Sequence, residues 1–191
     1  NMDETAVCLF QGNAKGTVFR DCGPPADGEP VQNVTRSKRR TYITHVAFIC
    51  DRAELQPLMP QVLIGNCATF LQRDWAALLA GCPNNVWLVR QISSWNNSTL
   101  CARLVGLLAA ALRPHLATLQ PVLFLDAYRA HYNQRVVAAC HAAGVWPIFV
   151  PAKLTWLLQP LDTHAFFAYK LRLMAEYQRR RAETADGQLN V

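Results

Sequence analysis

The sequence predicts an α/β domain built on one mixed sheet with helices on its faces, and two features of the chain carry that prediction. The first half is rich in short β-branched, apolar runs separated by tight-turn residues. The second half runs helix, strand, helix, strand, helix, with a crossover long enough for a right-handed parallel unit. At 191 residues, 51% hydrophobic and only 17% charged, the chain is long and apolar enough for one substantial core. The domain is expected over residues 1–182, followed by a polar tail over 183–191. The opening Asn1-Met2-Asp3 has no initiator-like lead-in, so the chain reads as an N-terminally truncated piece of a longer protein.

Taken in order, Ala6 to Phe10 is an apolar run beside the acids Asp3 and Glu4. Residues 11–40 are rich in Gly, Pro, Asn and Asp, with Gly23-Pro24-Pro25 and Asp27-Gly28 as turn signals and Thr17-Val18-Phe19 as a short strand within them. Thr41 to Cys50 is β-branched and apolar and reads as a strand, as do the shorter Gln61 to Ile64 and Val86 to Val89. Phe70 to Leu79 is read as a helix. Trp95-Asn96-Asn97-Ser98 offers helix-capping chemistry, after which Leu100, Leu104, Leu107, Leu108 and Ala111 recur at helical spacing until Pro114. Val122 to Leu125, stopping at Asp126, is expected to be a strand covered on both faces. Asn133 to Ala143 is a helix closed by Gly144, Val145 to Val150 a second buried strand, and Leu161 to Arg181 a long helix.

Composition narrows the function classes. No apolar stretch reaches the roughly 18–20 residues that span a bilayer, and no signal segment opens the chain, so the expectation is a soluble intracellular protein without a membrane partner. Seven cysteines, an odd number with no C-x₂₋₄-C spacing, read as reduced, small apolar residues. The net charge of +6 is clustered in two blocks, Arg36, Lys38, Arg39 and Arg40, and Lys170, Arg172, Arg179, Arg180 and Arg181. Such clusters suit a polyanion, although a solvated face explains each equally well on charge alone.

Two acids stand out by position. Asp126 ends an apolar strand, where ligands gather in open α/β sheets. Asp162 follows Gln159-Pro160-Leu161 at a helix start and shares the spacing of Phe166, Tyr169, Leu173 and Tyr177, which directs it at the sheet edge and away from solvent. Asp3 and Glu4 lie beside the first apolar run, and paired acids at a chain end carry no signal by themselves. Asp51, closing the Thr41 strand, is a rival.

The run Asn1-Met2-Asp3-Glu4-Thr5 resembles the first acidic motif of the DDE superfamily endonucleases, of the pogo/Tigger and wider mariner-like kind. Leu125-Asp126-Ala127-Tyr128-Arg129-Ala130-His131 is similar to the second motif, where Asn usually follows the Asp and His stands five positions on. Pro151 to Asp162, with Thr155 and Leu158-Gln159-Pro160 inside it and Phe166 and Lys170 beyond, resembles the third and most specific motif. Thirty-five residues separate Asp126 from Asp162, within the family's range. Ala127 departs from the pattern, the block from Arg73 to Gln91 matches no part of it, and the strand carrying Asp3 lacks its upstream half.

The resemblance implies a ribonuclease-H-like fold whose sheet is antiparallel in its first strands and parallel afterwards. It places Asp3 on the first strand, Asp126 after the fourth and Asp162 on the last helix. It implies that these three acids are catalytic and hold two Mg²⁺ or Mn²⁺ ions, hard cations that favour carboxylate oxygens. The activity it implies is that of a cut-and-paste transposase. Hydrolysis frees a 3′-hydroxyl at the transposon end, and that hydroxyl attacks target DNA. His131 and Gln159 are expected to support the acids from behind. Lys153, Lys170, Arg172, Arg39 and Arg40 are expected to contact DNA phosphates. Glu4, next to Asp3 on a strand, is expected to face away from the metals, and Trp156 to sit in the core. The resemblance further implies a nuclear setting, DNA and a homodimer as partners, and an upstream helix-turn-helix domain for end recognition. A domesticated or inactive descendant that only binds DNA or partners, and a stand-alone nuclease, are the competing readings.

Overall fold

The fold is α/β, with a four-stranded mixed sheet, a separate two-stranded parallel sheet in place of the single sheet expected, and helices packed on them, seen in a computed structural model that describes residues 1–8 and 42–183. The predicted Thr17-Val18-Phe19 strand, the turn signals after it, the Arg36 to Arg40 block with Arg39 and Arg40, and residues 184–191 of the polar tail lie outside the described residues.

Strand β1 (Met2–Cys8) pairs antiparallel with β2 (Tyr42–Phe48), with Asp3 opposite Ala47 and Glu4 opposite Val46. Strand β2 pairs antiparallel with β3 (Gln61–Asn66). Helix α1 (Gln72–Ala80) then leads to β4 (Val86–Gln91), which runs parallel to β3. Helix α2 (Ser98–Leu112) begins at Asn97, whose side chain accepts the Leu100 N–H at 2.9 Å, as the capping chemistry predicts. Strands β5 (Val122–Asp126) and β6 (Trp146–Val150) form a parallel pair joined by α3 (Gln134–Ala142), with Gly144 at φ +66° closing that helix. A short helix α4 (Thr155–Leu158) and a π-type turn over Leu161–Ala165 precede α5 (Phe166–Glu183). The order of pairing, antiparallel first and parallel later, agrees with the expectation. One strand does not: β4 adds itself beside β3, so Asp126 ends the fifth described strand and not the fourth.

Period-two alternation sorts the strand residues between the two faces. Met2, Val46, Phe48, Val62, Ile64, Leu123 and Leu125 point to one side. There they pack with Leu100, Leu104, Val105 and Leu108 of α2 and Val136 and Cys140 of α3 in the main core. The opposite side holds a smaller cluster of Ala47, Leu161 and Phe166, with the Tyr169 ring edge-on to His45. Helix α5 therefore covers only the β1–β2 part of that face. Its cover stops short of β5 and β6, and this corrects the expectation of strands buried on both sides: Val122, Phe124, Trp146 and Ile148 are all exposed. Among the described cysteines, Cys50, Cys67, Cys82, Cys101 and Cys140 are free, with Cys101 and Cys140 in the core as small apolar side chains. Among the described residues no helix is long and apolar enough to cross a membrane.

The main core depends on α2, and Leu104 is 1% exposed at its centre. Leu104→Ala is expected to lower the unfolding free energy by about 2–5 kcal/mol, read from the urea midpoint at unchanged slope.

Candidate active site

The site is assembled by one side chain before it is assembled by acids. Asn1 Nδ2 donates to the Phe124 carbonyl at 3.1 Å, and Asn1 Oδ1 accepts the Leu161 N–H at 3.2 Å. Each partner stands close in sequence to a carboxylate: Asn1 to Asp3, Phe124 to Asp126, Leu161 to Asp162. Three segments remote in the chain are thereby fixed at one edge of β1. Alternation does the rest. Leu123 and Leu125 enter the main core, so Asp126 belongs to the opposite side of its strand. Asp3, across from Ala47, shares that side with the start of α5.

Asp3 is 6% exposed. Its Oδ1 accepts the Glu4 N–H at 2.8 Å, and its buried Oδ2 has no hydrogen-bond partner among the described residues. Its carboxyl is pushed up to about 7. Burial is the main cause, and the negative charges of Asp162, Glu4 and Asp126 add to it against the pull of the Glu4 N–H. A desolvated oxygen without a donor among the described residues, under pressure from three other carboxylates, is an arrangement that a cation would relieve.

Asp126 is held differently. Its Oδ1 accepts the Tyr128 N–H at 3.1 Å and also bonds His131 Nδ1. Burial works to raise this carboxyl, but the hydrogen bond and charge of His131, with the Tyr128 N–H, outweigh it and hold the group below its usual range. His131 itself is fully buried. Burial alone would lower its pKa, yet the bonds to Asp126 and to Glu4 drive it up to about 10, so the ring is an imidazolium at neutral pH.

Asp162 departs from the expectation: its side chain is exposed. The cause is the π-type turn, in which bonding reaches one residue further than in an α-helix. Leu161 and Phe166 are both buried although five residues apart, a spacing that a uniform α-helix would place about 140° apart. The turn brings Leu161 inward in phase with Phe166 and leaves Asp162 one step round, facing out. Its charge still reaches Asp3. Among the described residues no group of three or more His, Cys, Asp or Glu side chains is arranged to hold a metal ion. Asp3 and Asp126 form the inner part of the site, and Asp162 stands outside them.

Gln159 is fully buried. Its carbonyl accepts both the N–H and the hydroxyl of Thr163 at 3.0 Å, which opens the turn carrying Asp162, while neither atom of its amide has a partner among the described residues. Trp156 corrects the prediction of a core residue. It is 69% exposed, with its indole N–H on the Lys153 carbonyl at 2.9 Å, because α4 spans only four residues and buries none of them. Lys153, Lys170 and Arg172 are exposed, whereas Arg179 and Arg180 are engaged by Glu176 on their own helix. Asp51 lies exposed beyond the end of β2.

Glu4 faces away from Asp3, as expected, but it is not idle. Its Oε1 accepts from His131 Nε2 at 2.8 Å and from Asn96 Nδ2 at 2.5 Å, and Asn96 is buried. Sequence reasoning missed Asn1, Glu4 and Asn96. The pair Asn96-Asn97 did hold a signal: one Asn suffices as a helix cap, which leaves the other for a different task.

Asp3 carries a pH prediction. Folding favours its neutral form, so its contribution to stability is complete below the ordinary value of 3.8 and is lost as the pH rises through about 7. Asp3→Asn is therefore expected to gain stability over the parent protein across this window, by up to about 4 kcal/mol at pH 8. Denaturant melts at pH 4, 5.5 and 8 measure it, and a difference that does not grow with pH would refute it.

Comparison with known proteins gives no match, since no family model, no curated protein and no solved structure is significantly similar to this chain.

Proposed function

We propose that the chain is the catalytic core of a cut-and-paste DNA transposase of the DDE kind, ribonuclease-H-like in fold, with Asp3, Asp126 and Asp162 as ligands of two Mg²⁺ or Mn²⁺ ions. The observation that carries this reading is the crowding around Asp3. Acids from the opening, middle and late parts of the chain act on one buried carboxylate whose Oδ2 lacks a donor among the described residues. The resemblance of the three motifs gives the crowding its meaning.

The donor set is all carboxylate, which fits hard divalent cations and not thiophilic ones. Bound there, two such ions would activate the attacking oxygen of a phosphodiester reaction and stabilise the leaving one. The protein's own part is positioning. Asp3 offers its buried Oδ2. Asp126, with Oδ1 occupied by His131 and Tyr128, offers Oδ2. Asp162, exposed on the turn, would supply the third carboxylate. Lys153, Lys170 and Arg172 supply exposed charge for phosphates, as would Arg39 and Arg40 in the segment outside the described residues. Tyr128 and Trp156 are exposed rings near the second and third acids in sequence, suited to stacking on unpaired bases. The partners in this reading are transposon ends and target DNA in the nucleus, with a homodimer to serve two ends.

A second reading, a descendant that binds DNA or partners without cutting, is favoured by two observations: Ala127 in place of the family's Asn, and the outward Asp162.

With Mg²⁺ or Mn²⁺ the protein is expected to nick supercoiled DNA and to yield joined products, and Asp126→Ala is expected to abolish both. Equal nicking by Asp126→Ala would rule the site out, and nicking without joining would make the protein a nuclease only. A folded protein that neither nicks DNA nor melts higher with Mn²⁺ would support the second reading.

A further inference from the structure

We propose that Glu4 is a positioning residue for Asp126, acting through His131 to hold the second acid in the orientation it presents to the cations. The inference rests on the functional reading above and adds to it a residue from the opposite face of β1. The Glu4 side chain leaves β1 on the face opposite Asp3, which meets only the Glu4 backbone N–H, and it does not bond Asp126 directly. Its link to Asp126 is one fully buried ring.

The geometry permits little else. Both nitrogens of His131 are engaged, Nδ1 by Asp126 Oδ1 and Nε2 by Glu4 Oε1 at 2.8 Å, and the ring is 0% exposed. Each nitrogen faces a carboxylate oxygen, an acceptor only, so each must donate. A ring held at both ends cannot turn without breaking a charge-assisted bond at each end. The Tyr128 ring lies edge-on to it, with centroids 5.8 Å apart. Glu4 is fixed in turn by buried Asn96, whose Nδ2 lies 2.5 Å from the same Oε1. Asn96 directly precedes the Asn97 cap of α2. A chain of contacts thus runs from the start of α2 through Asn96, Glu4 and His131 to Asp126. Its far end occupies Oδ1, and this defines which oxygen of Asp126 remains to be offered.

Without Glu4, Nε2 of a buried imidazole would lose its acceptor and the ring its second anchor. The ring could then rotate, and Asp126 Oδ1 with it. Partners behind a metal ligand commonly govern affinity by about 10–100-fold. Glu4→Ala is expected to raise the Mn²⁺ concentration for half-maximal thermal stabilisation by about tenfold or more. Glu4→Gln retains an acceptor oxygen and is expected to stay within about threefold of the parent. A purely structural Glu4 would lower the melting temperature without Mn²⁺ and leave the half-saturating concentration unchanged.

A second measurement is independent of cations. In ¹⁵N-imidazole spectra of the full chain, the His131 Nδ1–H resonance is expected to be slowly exchanging in the parent and in Glu4→Gln, and broadened or shifted in Glu4→Ala. An unchanged Nδ1–H resonance in folded Glu4→Ala overturns the proposal whatever Mn²⁺ does. A changed resonance in a protein that shows no Mn²⁺ response supports the positioning role and removes the metal-site reading alone. If Glu4→Ala does not fold, Asn96→Ala, which releases Glu4 without deleting it, is expected to move both readouts in the same direction by a smaller amount. No movement of either in Asn96→Ala overturns the proposal.

Discussion

One amide side chain, that of Asn1, sets the geometry on which the candidate site depends. It spends its donor on β5 and its acceptor on the turn before α5, and it does so from the first residue before β1. The two hydrogen bonds are ordinary, each contributing about 1 kcal/mol net. Their importance lies in what they join. Among the described residues the β5–β6 pair shares no backbone ladder with the four-stranded sheet, so contacts of this kind, together with the α2–α3 core, hold the two sheets in line. Asp3 and Asp126 come to one edge because the two sheets meet there.

The site then divides its acids by environment. Asp3 and Asp126 are both taken from water, and burial pushes both upward. Asp3 receives a single N–H and the repulsion of its neighbours, and it rises. Asp126 receives an N–H and an imidazolium, and it falls. Two residues of the same type thus end on opposite sides of their ordinary value because one has a cationic partner and the other does not. The cationic partner is held by Asp126 itself and, from the other side of the strand, by Glu4. A strand is thin enough for its two faces to serve one site, provided that a ring at its edge can reach round.

Much of the architecture was legible in the sequence because it follows from local rules. A β-branched, apolar run marked β2, capping chemistry marked the start of α2, and the Pro and Gly punctuation closed α2 and α3. Asp126 was found because a carboxylate ended an apolar run. What the sequence hid was set by non-local packing. An apolar run cannot report whether a helix will lie over its second face, so Val122 and Phe124 looked buried. A π-type turn has no compositional mark, so the stripe through Phe166 and Tyr169 was extended one step too far, to Asp162. The contact between Glu4 and His131 spans 127 residues, and no local pattern encodes it. The strand β4 was visible as a short apolar run, but its place in the sheet was not.

The bare side of β5 and β6 has a practical consequence. Val122, Phe124, Trp146 and Ile148 stay wet in the folded protein, and β6 pairs only with β5 among the described residues. Water-structuring salts such as sulfate strengthen the burial of apolar surface, and an open strand edge offers a template for adhesion. Salting-out should therefore begin at this side of the molecule, well below the point at which the core responds. Lysine at Trp146 or Ile148 would extend the usable concentration range while leaving the carboxylate cluster untouched.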